Sequence, residues 1–232
     1  MASGWHRKVM PIVFIFFAIL IVCVIGYLSH QAEKKRREAF REFANRRGWS
    51  YTHERDYNFD DAFRSLPFVG QGNRRFLQHR MQGEHEGGRV WIGEYHYEVT
   101  TRNGKTSTTH HYYSTLVMLN PRYVLKDLSI RREGLFDKMK AAFGWDDIDF
   151  ASAEFSRTFH VSAPDRDWAF AVIQPHTMEL MLRSRNVEFH MRNGWLVVRT
   201  KGSMKLEELT DLIRTGEAVL EGIPEFVKEG GR

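Results

Sequence analysis

Hydrophobic and polar positions divide the chain into stretches with different periods. Residues 9–28 are 20 positions without a charge, rich in Ile, Val and Phe. At 1.5 Å per residue this run crosses a hydrocarbon core of about 30 Å, so a transmembrane helix is predicted. Pro11 is expected in its first turn, where the missing N–H is not needed, with Trp5 and Tyr27 as interfacial anchors. A cleaved signal peptide would have a shorter apolar stretch and a small-x-small exit, and Ile25-Gly26-Tyr27-Leu28-Ser29-His30 offers none. Bulky Val22 directly before Cys23 argues against a lipoprotein cleavage box. Residues 31–47 hold strong helix formers, with Ala39, Phe40, Phe43 and Ala44 as a narrow apolar stripe, and they end at Gly48. They are expected to continue the membrane helix.

Beyond Gly48 the period changes repeatedly between two and 3.6. Residues 49–52 and 75–83 read as strands, and 59–66 as a helical turn ended by Pro67. Two long alternating runs, 89–101 and 105–119, flank Asn103-Gly104, which predicts a hairpin with a type I′ turn. Pairing Arg102 with Lys105 sets Trp91 opposite Leu116, Tyr95 opposite Tyr112 and Tyr97 opposite His110 on an apolar face. The other face then pairs His96 with His111, between Glu94 opposite Tyr113 and Glu98 opposite Thr109. Further on, 123–131, 148–150 and 154–162 are expected as strand material and 134–143 as a short helix. Pro164-Asp165 and Pro175 open helices over 167–173 and 175–183. Residues 187–192 and 195–200 form a second hairpin around Asn193-Gly194, and 205–221 a helix stopped by Gly222-Ile223-Pro224. Hairpins mixed with helices predict an α+β fold: a single N-terminal transmembrane helix followed by a mostly antiparallel sheet with packed helices. Three parts result, an anchor over 1–30, a basic juxtamembrane helix over 31–47 and a soluble α+β domain over 48–232.

Charge sharpens this division. Residues 1–47 carry nine Lys and Arg against three acids, and the other 185 residues carry 25 against 26. A body near neutrality lacks the cations to neutralise several phosphates, so nucleic-acid binding is disfavoured. Arg7 and Lys8 precede the apolar run, whereas Lys34, Lys35, Arg36, Arg37, Arg41, Arg46 and Arg47 follow it. Seven against two predicts an N-terminus outside and a C-terminal domain in the cytoplasm. Lys34, Lys35, Arg36 and Arg37 are also candidates for anionic lipid headgroups, although Glu33, Glu38 and Glu42 dilute that attraction. The single cysteine lies in the span and fits a reduced compartment.

Arg46-Arg47-Gly48-Trp49, the Thr109-His110-His111-Tyr112 run and Ile148-Asp149-Phe150-Ala151-Ser152-Ala153-Glu154-Phe155-Ser156-Arg157-Thr158-Phe159 carry a resemblance. With these segments the chain resembles a group of uncharacterised bacterial membrane-anchored proteins. That resemblance implies one N-terminal span before a soluble α+β domain. It implies no activity, cofactor or catalytic residue.

The side chains best suited to chemistry are His96 and His111 with Glu94 and Glu98, because two imidazoles and a carboxylate suit Zn²⁺ or another divalent ion. The same residues also read as an ordinary polar hairpin tip. Tyr95, Tyr97, Tyr112 and Tyr113 could offer a stacking platform, yet their alternation is that of sheet packing. No body cysteine, GxSxG, HExxH or phosphate loop appears, so nucleophilic and nucleotide chemistry have no motif and no cofactor is expected. Asp146, Asp147 and Asp149 read as turn and cap residues, and Arg157 as a strand arginine pairing locally. An anchor without catalytic motifs predicts a non-enzymatic accessory, scaffolding or assembly subunit, with the bilayer and a membrane protein or a second copy as partners. The alternatives are a metal-dependent hydrolase using the hairpin His and Glu residues, and a lipid or small-ligand sensor.

Overall fold

A computed structural model of the chain describes residues 3–86, 88–132, 147–184 and 186–229. Helix α1 (Ser3–Asn45) is continuous over 43 residues, about 65 Å of rise. From Phe16 on it is long and apolar enough to cross a membrane, and its apolar turns there are unburied, with Phe17, Val22 and Leu28 more than half exposed. Pro11 lies inside the helix rather than in its first turn, because the helix extends back through Arg7 and Lys8 to Ser3. The expected continuation into the charged stretch is present. Gly48, at φ +71°, turns the chain after Asn45, and the Trp49 amide donates to the Ala44 carbonyl.

Among the described residues eight strands follow: β1 (Ser50–Thr52), β2 (Asn73–His85), β3 (Gly88–Asn103), β4 (Thr106–Asn120), β5 (Leu128–Arg132), β6 (Phe159–Ser162), β7 (Val187–Arg192) and β8 (Trp195–Lys201). They form one sheet in the order β1-β2-β3-β4-β8-β7-β5-β6, with every pairing antiparallel. The helices are α2 (Phe59–Ala62), α3 (Ala153–Thr158), α4 (Arg166–Val172), α5 (Pro175–Arg183), α6 (Leu206–Glu221) and α7 (Glu225–Glu229). The chain is therefore α+β, as its patterning predicts.

Alternation along the central strands sorts their side chains onto two cores. Val90, Ile92, Val117, Leu119, Leu196 and Val198 join a core with Phe40 and Ala44 of α1 and the apolar faces of α3 to α6. Tyr95, Tyr97, Leu116, Met118, Trp195 and Val197 face the opposite side, beneath Phe59, Phe63, Leu66 and Phe68. The segment around α2 thus covers only part of that second face, and the sheet beyond it is polar.

The second hairpin forms as expected: Asn193 and Gly194 both take positive φ, 53° and 77°, as a type I′ turn requires. The first is shifted by two residues. Asn103 pairs with Thr106, so Trp91 faces Met118, His96 faces Tyr113, Tyr97 faces Tyr112 and Glu98 faces His111. Gly104 (φ +59°) and Lys105 form the turn, with the glycine first. The shift lays apolar Leu116 to Leu119 against Val90 to Gly93, and that packing outweighs the local Asn-Gly preference. A two-residue shift keeps every side chain on its expected face.

Other differences have local causes. Residues 154–158 are helical rather than strand, because Ser152 caps α3 by accepting from the Phe155 amide, and Phe155 and Phe159 meet one turn apart. Arg157 consequently sits on a helix, donating to the Ala153 carbonyl. Of residues 123–131 only those from Leu128 on are strand. Tyr123 instead holds its connection to α6 through a bond from its hydroxyl to the Leu220 carbonyl. Residues 147–150 contribute a single bridge, Asp147 to Ser162. The helical turn at 59–66 shrinks to Phe59–Ala62, and the helix expected over 134–143 lies outside the described residues. Asp147 accepts from the Ile148 and Val161 amides, the turn role expected for it.

Candidate functional site

The β3–β4 register sets Glu98 directly opposite His111, with His96 one step away on the same face. His96 Nε2 lies 3.2 Å from His111 Nδ1, and that nitrogen is 3.5 Å from Glu98 Oε1. The other His96 nitrogen, Nδ1, lies 3.2 Å from the Arg74 carbonyl. A carbonyl only accepts, so Nδ1 carries the proton and Nε2 presents its lone pair to His111. The ring is buried and held between Phe76, with centroids 4.5 Å apart, and Tyr113 at 4.8 Å. Burial pushes the imidazole below its ordinary pKa, keeping it neutral as a metal ligand must be.

His96, Glu98 and His111 each offer an atom within 4.8 Å of the other two. Ligand atoms about 2.0–2.1 Å from a tetrahedral Zn²⁺ stand about 3.3 Å apart, close to the 3.2 and 3.5 Å separations here. His111 is exposed, and Glu98 and His111 open onto a cavity of about 460 Å³ shared with Asn73, Arg74, Thr100 and Thr109. The arrangement has the donor set of an open, three-ligand divalent site, with the carbonyl behind His96 as its orienting partner.

Glu94 does not join it. Its carboxylate accepts from Arg36 Nη2 at 2.6 Å, Gln78 Nε2 at 2.7 Å and the Met204 amide at 2.6 Å. Arg36 also donates to the Met204 carbonyl at 3.0 Å. This expected metal residue and this expected headgroup residue are thus each other's partners, clamping α1 to the sheet. Arg37 pairs with Glu33 at 2.8 Å, while Lys34 and Lys35 are exposed, Lys34 lying 3.9 Å from Glu38. Tyr95 serves packing: it is buried in the second core, and its hydroxyl donates to Asp60 at 2.9 Å.

A second constellation occupies the polar part of the sheet, next to the cover formed around Phe68. Glu188 of β7 and Arg199 of β8 are cross-strand partners, 2.6 Å apart at Oε2 and Nη1. Arg199 also reaches Ser114 Oγ from Nε at 3.1 Å and from Nη2 at 3.0 Å. His190 is fully buried, with Nδ1 2.9 Å from Ser129 Oγ and Nε2 3.8 Å from Glu188. Burial would raise the Glu188 carboxyl, but the His190 ring and the Arg199 charge bring it down to about 2. Burial lowers His190 to about 4 against the pull of Glu188. At neutral pH the carboxylate is therefore charged and the imidazole is not. Beside them a cavity of about 360 Å³ reaches Arg131, Lys201, Tyr97 and Tyr112.

The fold is similar to that of a mycobacterial transport factor. The chain matches the crystal structure of the mycobacterial trehalose monomycolate transport factor A, TtfA, with a TM-score of 0.54 and 12% identity. The match covers 81% of this chain and 96% of that one. At that identity the likeness is one of fold. No family model matches the chain, and no curated protein does. One N-terminal apolar helix before an α+β sheet is the architecture implied by the resemblance noted from the sequence.

The Glu188–Arg199 group escaped sequence reasoning, although a signal for it exists. Asn193-Gly194 sets the β7–β8 register, which pairs position 188 with 199, and an acid opposite an arginine within apolar strands marks a buried ion pair. The Arg36–Glu94 clamp joins residues 58 positions apart, and no local spacing announces it.

Proposed function

We propose that this protein is a membrane-anchored accessory subunit whose α+β domain docks on a membrane transport complex. The observation that carries this reading is α1 itself. Its apolar turns from Phe16 on are unburied and suited to the bilayer, and its last turns, with Phe40 and Ala44, are built into the domain core. A domain joined in this way is held close to the membrane at a set angle, which suits a subunit that must meet a membrane partner. The fold shared with TtfA, a transport factor by name, supports transport machinery as the partner class. The seven cations after the apolar run against two before it support a cytoplasmic domain.

The test is the native mass and composition of the full-length protein, solubilised gently from its own membranes. A particle well above 27.3 kDa plus detergent, containing a multi-span membrane protein, is the expected result. A lone monomer across several mild detergents would end this reading.

The convergence of His96, Glu98 and His111 favours a second reading, in which the hairpin holds a divalent ion and the domain acts as a metal-dependent hydrolase. Purified full-length protein should then contain about one equivalent of metal, lost in His96→Ala. Metal content at background in the wild type, after growth with added zinc, removes it.

A further inference from the structure

We propose that the cavity between the polar part of the sheet at β4 and β8 and the Pro67 to Gln71 segment binds a small organic anion, a carboxylate or phosphate monoester carried on a flat ring. The volume of about 360 Å³ lies within the range of small-ligand sites, roughly 300–1,000 Å³. Among the described residues three cations line it, Arg131, Arg199 and Lys201, against the one carboxylate of Glu188. With Glu188 ionised the described lining keeps two positive charges in excess. Asp147 acts on Arg131 from outside the cavity.

The cations are positioned by the sheet rather than scattered over a surface. Glu188 and Ser114 take three of the five N–H groups of Arg199 and fix its plane. One N–H then remains on each terminal nitrogen, a fork suited to a carboxylate or phosphate. Arg131 stands on the neighbouring part of the same face, its Nε buried and without a hydrogen-bond partner among the described residues. Its guanidinium lines the cavity, where an anion can pair with its charge. Burial lowers both Arg131 and Lys201 while Glu188 pulls both the other way, and Arg199 lowers Lys201, so a bound anion relieves the repulsion between Arg199 and Lys201.

The other wall is aromatic. Tyr97 and Tyr112 stack across β3 and β4 with centroids 5.0 Å apart and planes within 11°. Tyr112 remains 44% exposed, so it presents apolar surface beside the cationic floor. A charged group on the floor and a ring against the tyrosines satisfy both halves of the site.

The test is calorimetric titration of the full-length protein in a non-ionic detergent with benzoate, phenyl phosphate and inorganic phosphate. Saturable binding of at least one ring-bearing anion is expected, and the preferred one tells carboxylate from phosphate. Lys201→Gln, at an exposed position, and Arg131→Gln should each weaken that binding at least tenfold. Tyr112→Ala should weaken the ring-bearing anion and leave inorganic phosphate unchanged. Competition by phosphatidic acid in the micelles tells a lipid-borne phosphate from a soluble one. No saturable binding of either ring-bearing anion overturns the proposal, as does binding that Lys201→Gln leaves intact. Should Arg131→Gln not fold, the wild-type and Lys201→Gln titrations decide the matter.

Discussion

His190 is a histidine that the fold keeps neutral. Its ring lies among Ser129, Glu188, Arg192 and Phe68, and its pKa falls to about 4, chiefly through burial, with Arg199 and Arg192 adding to the shift and Glu188 opposing it. The unfolded value is about 6.5, so between these two values the unfolded chain binds more protons than the folded one. Stability contributed by the neutral ring is complete above pH 6.5 and is lost as pH falls towards 4. Between pH 7 and pH 5 this amounts to about 2 kcal/mol. Glu188, with its own pKa near 2 in the fold, contributes little in that window because it is ionised in both states. His79 and His96 are lowered as well and add slope of the same sign. The expected outcome, in urea unfolding followed by tryptophan fluorescence, is a pH 7 to pH 5 stability loss smaller by about 2 kcal/mol in His190→Asn than in the wild type. An unchanged loss would mean that His190 is charged in the folded protein.

Elements set by nearby residues are the ones that alternation and turn residues made legible. Asp165 caps α4, Pro175 opens α5 and Asn193-Gly194 closes β7 on β8, each in its expected place. The remaining differences have two causes, a run too short for its period to decide and a pairing with a distant strand. Phe155, Phe159 and Val161 fall on alternate positions of the expected strand, but Phe155 and Phe159 are four apart and fit a helix equally, and the Ser152 cap selects the helix. The hairpin slipped because Leu116 to Leu119 must also pair with β8, a constraint invisible within the hairpin. The candidate site was legible to the same degree: face membership brought His96, Glu98 and His111 together, while Glu94 was lost to an arginine from another element. The two turns can be told apart by experiment. Asn193 sits at φ +53°, so Asn193→Val places a β-branched residue in the left-handed region at a cost of about 1–3 kcal/mol. Asn103 is a strand residue paired with Thr106, and Asn103→Val should stay within about 0.5 kcal/mol of the wild type. Equal effects in urea unfolding would contradict the shifted register.

Over the whole molecule the decisive feature is the joint between α1 and the sheet. Phe40 and Ala44 are buried in the first core, and Arg36 neutralises the buried Glu94 while holding the loop at Met204. The division expected from composition separated the juxtamembrane helix from the domain, yet these contacts make its last turns part of the folded body. A chain beginning at Gln31 should therefore remain soluble, monomeric and as stable as the intact domain, since residues 16–30 are all exposed in the fold. A chain beginning at Gly48 loses the Phe40 ring, worth about 3–5 kcal/mol as a core aromatic, and leaves the Glu94 charge without its arginine, which costs about as much again. Losses of that size rival the total stability of an ordinary domain, so this second truncation should be largely unfolded by circular dichroism. If both truncations unfold at the same temperature, the helix is only a tether and the domain tumbles freely beneath the bilayer. If they differ as expected, the angle at which α1 enters the sheet fixes which faces of the domain can meet a membrane partner. Arg36→Met should then weaken partner capture while leaving α1 in the membrane.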